Sequence, residues 1–126
     1  MSSAPKYVPG HPSLPFCEAV RVGDVLYLSG QIGSAPADPS HVVPGGIQAE
    51  TKQALENVEA VLRKQGLGKD RVFKCLVMMA DMKEWAAMNE AYLAFFGAHR
   101  PARSSFGTSG LALGARVEIE CVAWAG

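Results

Sequence analysis

The spacing of apolar residues along the chain predicts five strands and two helices. Two short runs of β-forming residues, 17–22 and 25–29, are separated by Gly23-Asp24, which is typical of a hairpin. Between about residues 47 and 65 the apolar positions fall on one face of a helix, and Gly66 follows the last turn. The apolar positions of this first helix are Ala54, Leu55, Val58, Val61 and Leu62.

A strand and a second helix follow. Residues 72–80 form a nearly continuous apolar run, whose length and β-branched residues favour a buried strand. Asp81 is predicted to cap the second helix, with Glu84 as its capping-box partner and Gly97 at its end. The apolar stripe of this helix, which we interpret as core, is Trp85, Met88, Tyr92 and Phe95.

The remaining segments complete a single α+β domain, residues 1–126. Strands predicted at 103–106 and 116–124, joined by a glycine-rich segment, give the order β-β-α-β-α-β-β. Residues 1–15 hold four of the eight prolines and show no periodicity, so they are predicted to be a loose N-terminal arm. Residues 33–46, rich in Pro and Gly, are predicted to be a surface loop.

One face of the predicted sheet has no helix to cover it. Two helices can cover only one face of a sheet of this size. Leu26 and Leu28 alternate with Val25 and Tyr27, and both faces of residues 75–79 are apolar, so both faces need burial. We therefore predict a homo-oligomer in which the uncovered face packs against other subunits.

Composition narrows the classes of function. The 126 residues include 12 Lys plus Arg and 12 Asp plus Glu, so no cationic surface for nucleic acid or an anionic membrane is expected. Three scattered cysteines and three scattered histidines predict neither a disulfide framework nor a metal site. The chain has no signal-peptide core and no apolar run near the ~20 residues that span a bilayer. A cytoplasmic protein is expected.

Charged residues on the last two predicted strands are the candidates for chemistry. In the strand 116–124, apolar side chains occupy one parity and Glu118 and Glu120 the other, which places both carboxylates on the uncovered face. Arg103 lies beside two serines, where it suits bidentate recognition of a carboxylate or phosphate. For Glu118 and Arg103 alike, a structural ion pair is the alternative, and these residues alone leave the choice open.

A set of short motifs in fixed order along the chain is recognisable. They are Leu26-Tyr-Leu-Ser29-Gly30-Gln31-Ile32, Gly45-Gly46-Ile47 with Gln53-Ala-Leu55-Glu-Asn57-Val, Asn89-Glu-Ala-Tyr92 with Phe95-Phe96, Arg100-Pro-Ala-Arg103-Ser and Val117-Glu118-Ile-Glu120. Together they resemble the Rid (reactive intermediate deaminase) family, also called YjgF/YER057c/UK114 or endoribonuclease L-PSP. The resemblance implies a chorismate-mutase-like α+β fold, with two helices on one face of a mixed sheet. It also implies a homotrimer whose sheets line a central barrel, with one ligand site at each subunit interface.

The resemblance further implies a reaction and roles for individual residues. Arg103 would bind the carboxylate of a 2-imino acid, and Glu118 would hold the attacking water. The pocket would also be lined by Ser29, the backbone of Gly30 and of Ser105, and Asn89. The implied reaction hydrolyses 2-iminopropanoate or 2-iminobutanoate to a 2-keto acid and ammonia. It needs no metal or cofactor, because an imine carbon is already electrophilic.

Two positions depart from the family pattern. Where the archetype has tyrosine, in a Pro-Tyr-x-Gln motif, this chain has Phe16, so the pocket would lack a phenolic hydroxyl. Ser105 stands where the archetype often has cysteine, which matters little if that residue acts through its backbone. Three alternatives therefore stay open: a subgroup deaminase for another imine, enamine or carbamate, a non-catalytic module that binds a small carboxylate, and an endoribonuclease or translation inhibitor. The neutral charge argues against the last.

Overall fold

Seven strands form one mixed sheet in the computed structural model, which describes residues 4–126. These strands are β1 (Lys6–Val8), β2 (Ala19–Val22), β3 (Val25–Leu28), β4 (Gln31–Ile32), β7 (Val72–Met79), β8 (Ala102–Gly107) and β9 (Val117–Trp124). Their order in the sheet is β1-β2-β3-β9-β7-β8, with β4 also paired to β9, and all pairs are antiparallel except β7 with β8. A separate hairpin joins β5 (Ser34–Ala35) to β6 (Asp38–Val42), and the helices are α1 (Ile47–Lys64) and α2 (Trp85–Phe96).

Both helices pack on the same face of the sheet. The predicted apolar stripe of α1 is buried throughout, as an amphipathic helix requires. Along β9 the apolar parity is fully buried against the helices, and it comprises Val117, Ile119, Cys121 and Ala123. The predicted fold class, α+β with two helices on one face of a mixed sheet, is therefore confirmed.

The opposite face of the sheet carries large apolar side chains that none of the described residues covers. Tyr27 is 51% exposed, Trp124 47% and Phe106 44%, and all three point away from the helices. Leu76 and Met78 of β7 lie between them and are half-buried. The uncovered face is thus confirmed, and the assembly that would bury it stays a prediction.

Two segments that we predicted to be irregular contain strands. Within 1–15, the segment predicted to be a loose arm, β1 pairs with β2 through Tyr7 and Val20; residues 1–3 lie outside the described residues. Within 33–46, predicted to be a loop, β5 and β6 form the separate hairpin. These strands are short, and most of their side chains are exposed, so they leave no apolar periodicity to detect. Pro39 is tolerated because a two-stranded sheet has only edge strands.

The start of α2 also differs from the prediction. Asp81 accepts a hydrogen bond from the Lys83 N–H (2.9 Å), but it caps a single 3-10 turn, and α2 begins at Trp85. The capping box is wrong, because the Glu84 carboxylate pairs with Arg116 (2.8 Å) instead. Trp85 is 42% exposed and so does not belong to the core, whereas Gly97 ends α2 with a φ of 64°, as predicted.

Candidate functional site

A β-bulge interrupts the edge of β9 where β3 passes into β4. Tyr27 pairs with Val122, and Gln31 pairs with Ile119. Between these two pairs the segment that joins β3 to β4 advances four residues, whereas β9 advances only three. The extra residue lies within 28–30, which includes the predicted site residues of the Ser-Gly-Gln motif. Bulges of this kind re-aim side chains and are common beside functional sites.

Glu118 lies directly against this bulge, on the uncovered face of the sheet. Ile32 is its register partner, and Gly30 contacts its carboxylate. A Cβ at Gly30 would lie 3.0 Å from the carboxyl carbon of Glu118, so the close approach depends on glycine. The structure therefore brings Gly30 and Glu118 together.

The segment before β2 is tied to the same bulge. The Ser29 hydroxyl donates to the carbonyl of Cys17 (2.6 Å), and the Ser29 N–H donates to the carbonyl of Glu18 (3.0 Å). These bonds hold Phe16, which directly precedes Cys17, near Ser29. The ring of Phe16 is 51% exposed and so is available to a ligand or another subunit. We call Phe16, Ser29, Gly30 and Glu118 the glutamate cluster.

Glu118 carries an uncompensated charge within its chain. Burial raises the pKa of its carboxyl, and the neighbouring carboxylate of Glu120 raises it further. None of the ion pairs among residues 4–126 includes Glu118, whereas Arg116 pairs with Glu84 (2.8 Å) and the buried Glu50 (3.7 Å). The ion-pair interpretation of Glu118 is therefore wrong for the single chain.

Arg103 and Ser105 lie on the other face of the sheet, beneath α2. In the parallel pairing of β7 with β8, Cys75 is level with Arg103 and Val77 with Ser105. Level residues of neighbouring strands share a face, and Cys75 and Val77 are fully buried against the helices. The side chains of Arg103 and Ser105 are therefore directed toward the helical layer, at the open edge that β8 forms.

Two aromatic rings of α2 hold the arginine side chain. The guanidinium carbon of Arg103 lies 4.7 Å from the centre of the Tyr92 ring and 5.7 Å from that of Trp85. Such cation–π contacts are worth about 0.5–1 kcal/mol each where the groups remain partly hydrated. No ion pair among the described residues includes Arg103, so its ion-pair interpretation is wrong for the single chain.

Three buried polar atoms lie on the same side of the sheet as Arg103. Among residues 4–126, Asn89 Oδ1 and Ser105 Oγ are buried and make no hydrogen bond, and the Tyr92 hydroxyl lies beside the Cys75 thiol. Burial and the nearby Cys75 thiol hold the pKa of Tyr92 well above its usual range, so the phenol keeps its proton. Because buried polar groups are normally satisfied, the unpaired atoms of Asn89 and Ser105 indicate a place that a ligand or another subunit completes.

A shallow cavity opens at Asn89, Tyr92 and Arg103, and Ser105 does not line it. Its volume is about 260 Å³, and it is lined by Asn89, Tyr92, Leu93, Arg100, Pro101 and Arg103. A larger groove of about 530 Å³ runs between α1 and α2, but it holds none of the predicted site residues and none of the unpaired polar atoms. We call Asn89, Tyr92, Arg103 and Ser105 the arginine cluster and take its cavity as the candidate ligand pocket.

A single chain does not bring the two clusters together. Arg103 is level with Cys75 and, through it, with Cys121, whereas Glu118 lies three residues away along β9. Two strand spacings of about 4.8 Å and three residues of about 3.3 Å separate the two Cα positions by roughly 14 Å. The side chains also point to opposite faces. A pocket that uses both therefore does not form within one chain.

Trp85 and Tyr92 contact Arg103, which their helical spacing does not predict. The spacing predicts core residues, and Tyr92, only 5% exposed, is one, whereas Trp85 is 42% exposed. The available signal was the Asn89-Glu-Ala-Tyr92 motif, since a spacing of three residues places Asn89 and Tyr92 on one helix face. Among residues 4–126, no group of His, Cys, Asp or Glu side chains is arranged to hold a metal ion. None of the helices in this part of the chain could span a bilayer.

Comparison with known proteins identifies the family. The family model described as endoribonuclease L-PSP matches residues 8–125. The 2-iminobutanoate/2-iminopropanoate deaminase of Mus musculus is 39% identical over 109 residues, which are 86% of this chain and 80% of that protein. YyfA of Yersinia pestis, described as a Rid-family protein of unknown function, superposes with a TM-score of 0.84 at 32% identity, over 96% of this chain and 99% of that one. E. coli TdcF with bound serine has a TM-score of 0.84 at 30% identity, over 95% and 94% of the two chains. The chain therefore belongs to the endoribonuclease L-PSP family, the Rid family that its motifs resemble.

Proposed function

We propose that this protein hydrolyses 2-imino acids to 2-keto acids and ammonia, at sites formed between the subunits of a homotrimer. The observation that carries the proposal is the division of the predicted residues into two incomplete halves. One half has an arginine without an ion pair, and the other has a carboxylate without one. A relative named as a 2-iminobutanoate/2-iminopropanoate deaminase, 39% identical, supports the same reaction.

The uncovered apolar face supports the proposed trimer. Tyr27, Phe106 and Trp124 form an exposed surface that one chain cannot bury. Exposed apolar surfaces of this extent mark interfaces between proteins. Three such sheets around a common axis would bury these side chains in a central barrel and bring the glutamate cluster of one subunit toward the arginine cluster of the next. A monodisperse monomer in light scattering at micromolar concentration would contradict this assembly.

Arg103 is the proposed substrate anchor. Its planar guanidinium suits two parallel hydrogen bonds to the carboxylate of an imino acid. The rings of Tyr92 and Trp85 restrict its rotation, so less conformational entropy is lost when the substrate binds. Asn89 and Ser105 offer further polar atoms that are buried and unpaired in the single chain.

Glu118 is the proposed general base. It takes a proton from a water molecule as the water oxygen bonds to the imine carbon, which gives a tetrahedral carbinolamine. It returns this proton to the imine nitrogen, which completes the neutral carbinolamine. It then transfers the hydroxyl proton of the carbinolamine to the same nitrogen, so that the C–N bond breaks, the C=O bond forms and ammonia leaves. The net reaction joins one imino acid and one water to give one keto acid and one ammonia. The raised pKa of Glu118 suits these proton transfers better than that of an exposed glutamate.

Phe16 bears on which substrate side chains the site accepts. Its exposed ring at the edge of the glutamate cluster offers apolar surface and no hydroxyl. We therefore propose imino acids with small apolar side chains as the substrates. The cytoplasm is the proposed location, supported by three free cysteines, as is usual in reducing compartments. We do not propose ribonuclease activity, because the net charge of zero provides no electrostatic attraction to RNA.

The test generates 2-iminopropanoate in situ with an amino acid oxidase and measures release of pyruvate and ammonia. Wild-type protein should accelerate release, and Arg103→Ala should remove the acceleration while the oligomer stays intact. Arg63→Ala is the matched control, because it removes the same charge from an exposed position on α1. No acceleration by wild type would contradict the deaminase. Binding of pyruvate that survives Glu118→Ala without any turnover in wild type would instead favour the carboxylate-binding module.

A further inference from the structure

Two amide side chains of α1, in the Gln53-Ala-Leu55-Glu-Asn57 motif, have no part in the proposed reaction. Asn57 Nδ2 donates to the carbonyl of Ile32 (3.1 Å) and to that of Ser34 (2.8 Å). Gln53 Nε2 donates to Asn57 Oδ1 (2.9 Å), which fixes the orientation of the Asn57 amide. The helix is thus bonded to the backbone on both sides of Gly33, where β4 ends.

The strand to which Asn57 is hydrogen-bonded, β4, directly follows the bulge that contacts Glu118. Ile32, whose carbonyl accepts from Asn57, is the register partner of Glu118 on β9. Gly30, two residues before it, contacts the Glu118 carboxylate. The strand β4 has only two residues, so its pairing with β9 supplies few hydrogen bonds of its own. The position of Gly30 against Glu118 therefore depends on what holds β4 from the other side.

A glycine permits the helix to come this close. A Cβ at Gly33 would lie 2.5 Å from the Glu50 carbonyl oxygen and 2.6 Å from its Cα, so the backbones of α1 and the chain after β4 are in direct contact. Asn57 lies two turns farther along the same helix and reaches the same segment. The two contacts together hold β4 between α1 and β9.

We propose that Asn57 is a positioning residue for Glu118, which keeps β4 against β9 so that the Gly30 bulge closes on the carboxylate. Asn57 is directed into the segment after the bulge and has no contact with the arginine cluster in this chain. It therefore acts on the proton-transfer half of the site and leaves the carboxylate-binding half unchanged. The kinetic consequence of this inference rests on the proposed deaminase function.

The test compares Asn57→Ala with a substitution at another position of α1 that also removes side-chain hydrogen bonds. Gln48 is the control, because its Nε2 also donates twice, to the Ala87 carbonyl (3.2 Å) and the Glu90 carboxylate (2.7 Å). Gln48→Ala removes two hydrogen bonds, against three for Asn57→Ala, and does not touch β4. The first readout is the titration of the Glu118 carboxyl by carbon-13 NMR, with the resonance assigned through Glu118→Gln. The second readout is kcat and KM for imine hydrolysis.

We expect Asn57→Ala to lower the pKa of Glu118 toward that of an exposed glutamate, because water reaches the carboxylate when the bulge opens. The acid limb of the pH–rate profile should move to lower pH by the same amount. A misplacement near 1 Å predicts a fall in kcat of about 10- to 100-fold. KM should change by less than about threefold, because Arg103 is unaffected. Gln48→Ala should leave the titration and kcat as in wild type.

The outcomes test the positioning role of Asn57 separately from the proposed deaminase reaction. A Glu118 titration in Asn57→Ala identical to wild type overturns the positioning role, whatever the activity. An equal change in Gln48→Ala also overturns it, because general loosening of the helix would then explain the effect. If Asn57→Ala fails to fold, Gln53→Ala takes its place, with a smaller change in the same direction expected. If wild type has no turnover, the deaminase proposal fails, and the NMR titration still decides the role of Asn57.

Discussion

Replacing Gly30 with alanine tests whether Glu118 works through its place beside the bulge. The added Cβ would lie 3.0 Å from the carboxyl carbon of Glu118 and 3.1 Å from its Cγ, where ordinary contact begins near 3.4 Å. The carboxylate oxygen would be closer still. The φ of Gly30 is not positive, so the backbone accepts alanine without strain. The Glu118 side chain must therefore move.

The size of the movement sets the expected loss. The carboxyl carbon must retreat by at least about 0.4 Å and the nearer oxygen by more, and a misplacement of 1 Å costs about 100-fold in rate. We expect kcat to fall about 10- to 100-fold in Gly30→Ala. KM should change little, because substrate anchoring belongs to Arg103. The free energy of unfolding should change by less than about 1 kcal/mol, because a half-exposed side chain has room to rotate.

The assay measures ammonia release under steady-state conditions, with a denaturant titration on the same samples. Gly107→Ala is the matched control: its Cβ would lie 3.1 Å from Met82 Cγ, a flexible exposed side chain, and its φ is not positive either. The control should keep wild-type kcat. Wild-type kcat in Gly30→Ala would refute the reasoning, because the carboxylate position would then not matter for the reaction.

Three further substitutions test other parts of the account. Glu118→Gln should abolish hydrolysis yet raise the free energy of unfolding at neutral pH in denaturant titrations. The raised pKa means that the charged carboxyl destabilises the folded chain, so this gain should vanish as the pH falls below the ordinary glutamate value near 4.3. Arg103→Lys keeps the charge but loses the two-pronged geometry, so KM and the inhibition constant for pyruvate should rise about tenfold. Gly33→Ala should cost about 1–3 kcal/mol in chemical unfolding, because the Cβ would meet the Glu50 backbone, which cannot rotate away.

The elements that the sequence predicted well are those with one strongly buried face. In α1 and β9 the apolar residues recur at the period of the element, so burial and local structure agree. β1 and β6 were missed because they are short and mostly exposed, and only pairing with a neighbouring strand stabilises them. The capping box failed because Glu84 has a stronger competing partner in Arg116, 32 residues away, which no local pattern shows.

The sequence predicts which residues are candidates for the site, but it does not predict how they are arranged in the fold. Strand parity placed Glu118 on the uncovered face, which the structure confirms. Arg103 was expected in the same interface site, yet it lies on the helix side, because the register of β8 on β7 sets its face. Register is a tertiary property, fixed here by pairing of Arg103 with Cys75. The helical spacing of Tyr92 and Trp85 predicts core residues, which is confirmed for Tyr92 and wrong for Trp85, and it does not show that both rings contact the arginine.

Complementation between two inactive variants tests most directly whether the site combines two subunits. Arg103→Ala and Glu118→Gln, each inactive alone, are co-expressed with different tags, and mixed trimers are isolated and confirmed by native mass spectrometry. If each site takes Arg103 from one subunit and Glu118 from the next, every mixed trimer has one intact site of its three, whichever variant is in the majority. We therefore predict recovery of about one third of wild-type turnover in the isolated mixed trimers. Verified mixed trimers with no activity would contradict a site shared between subunits.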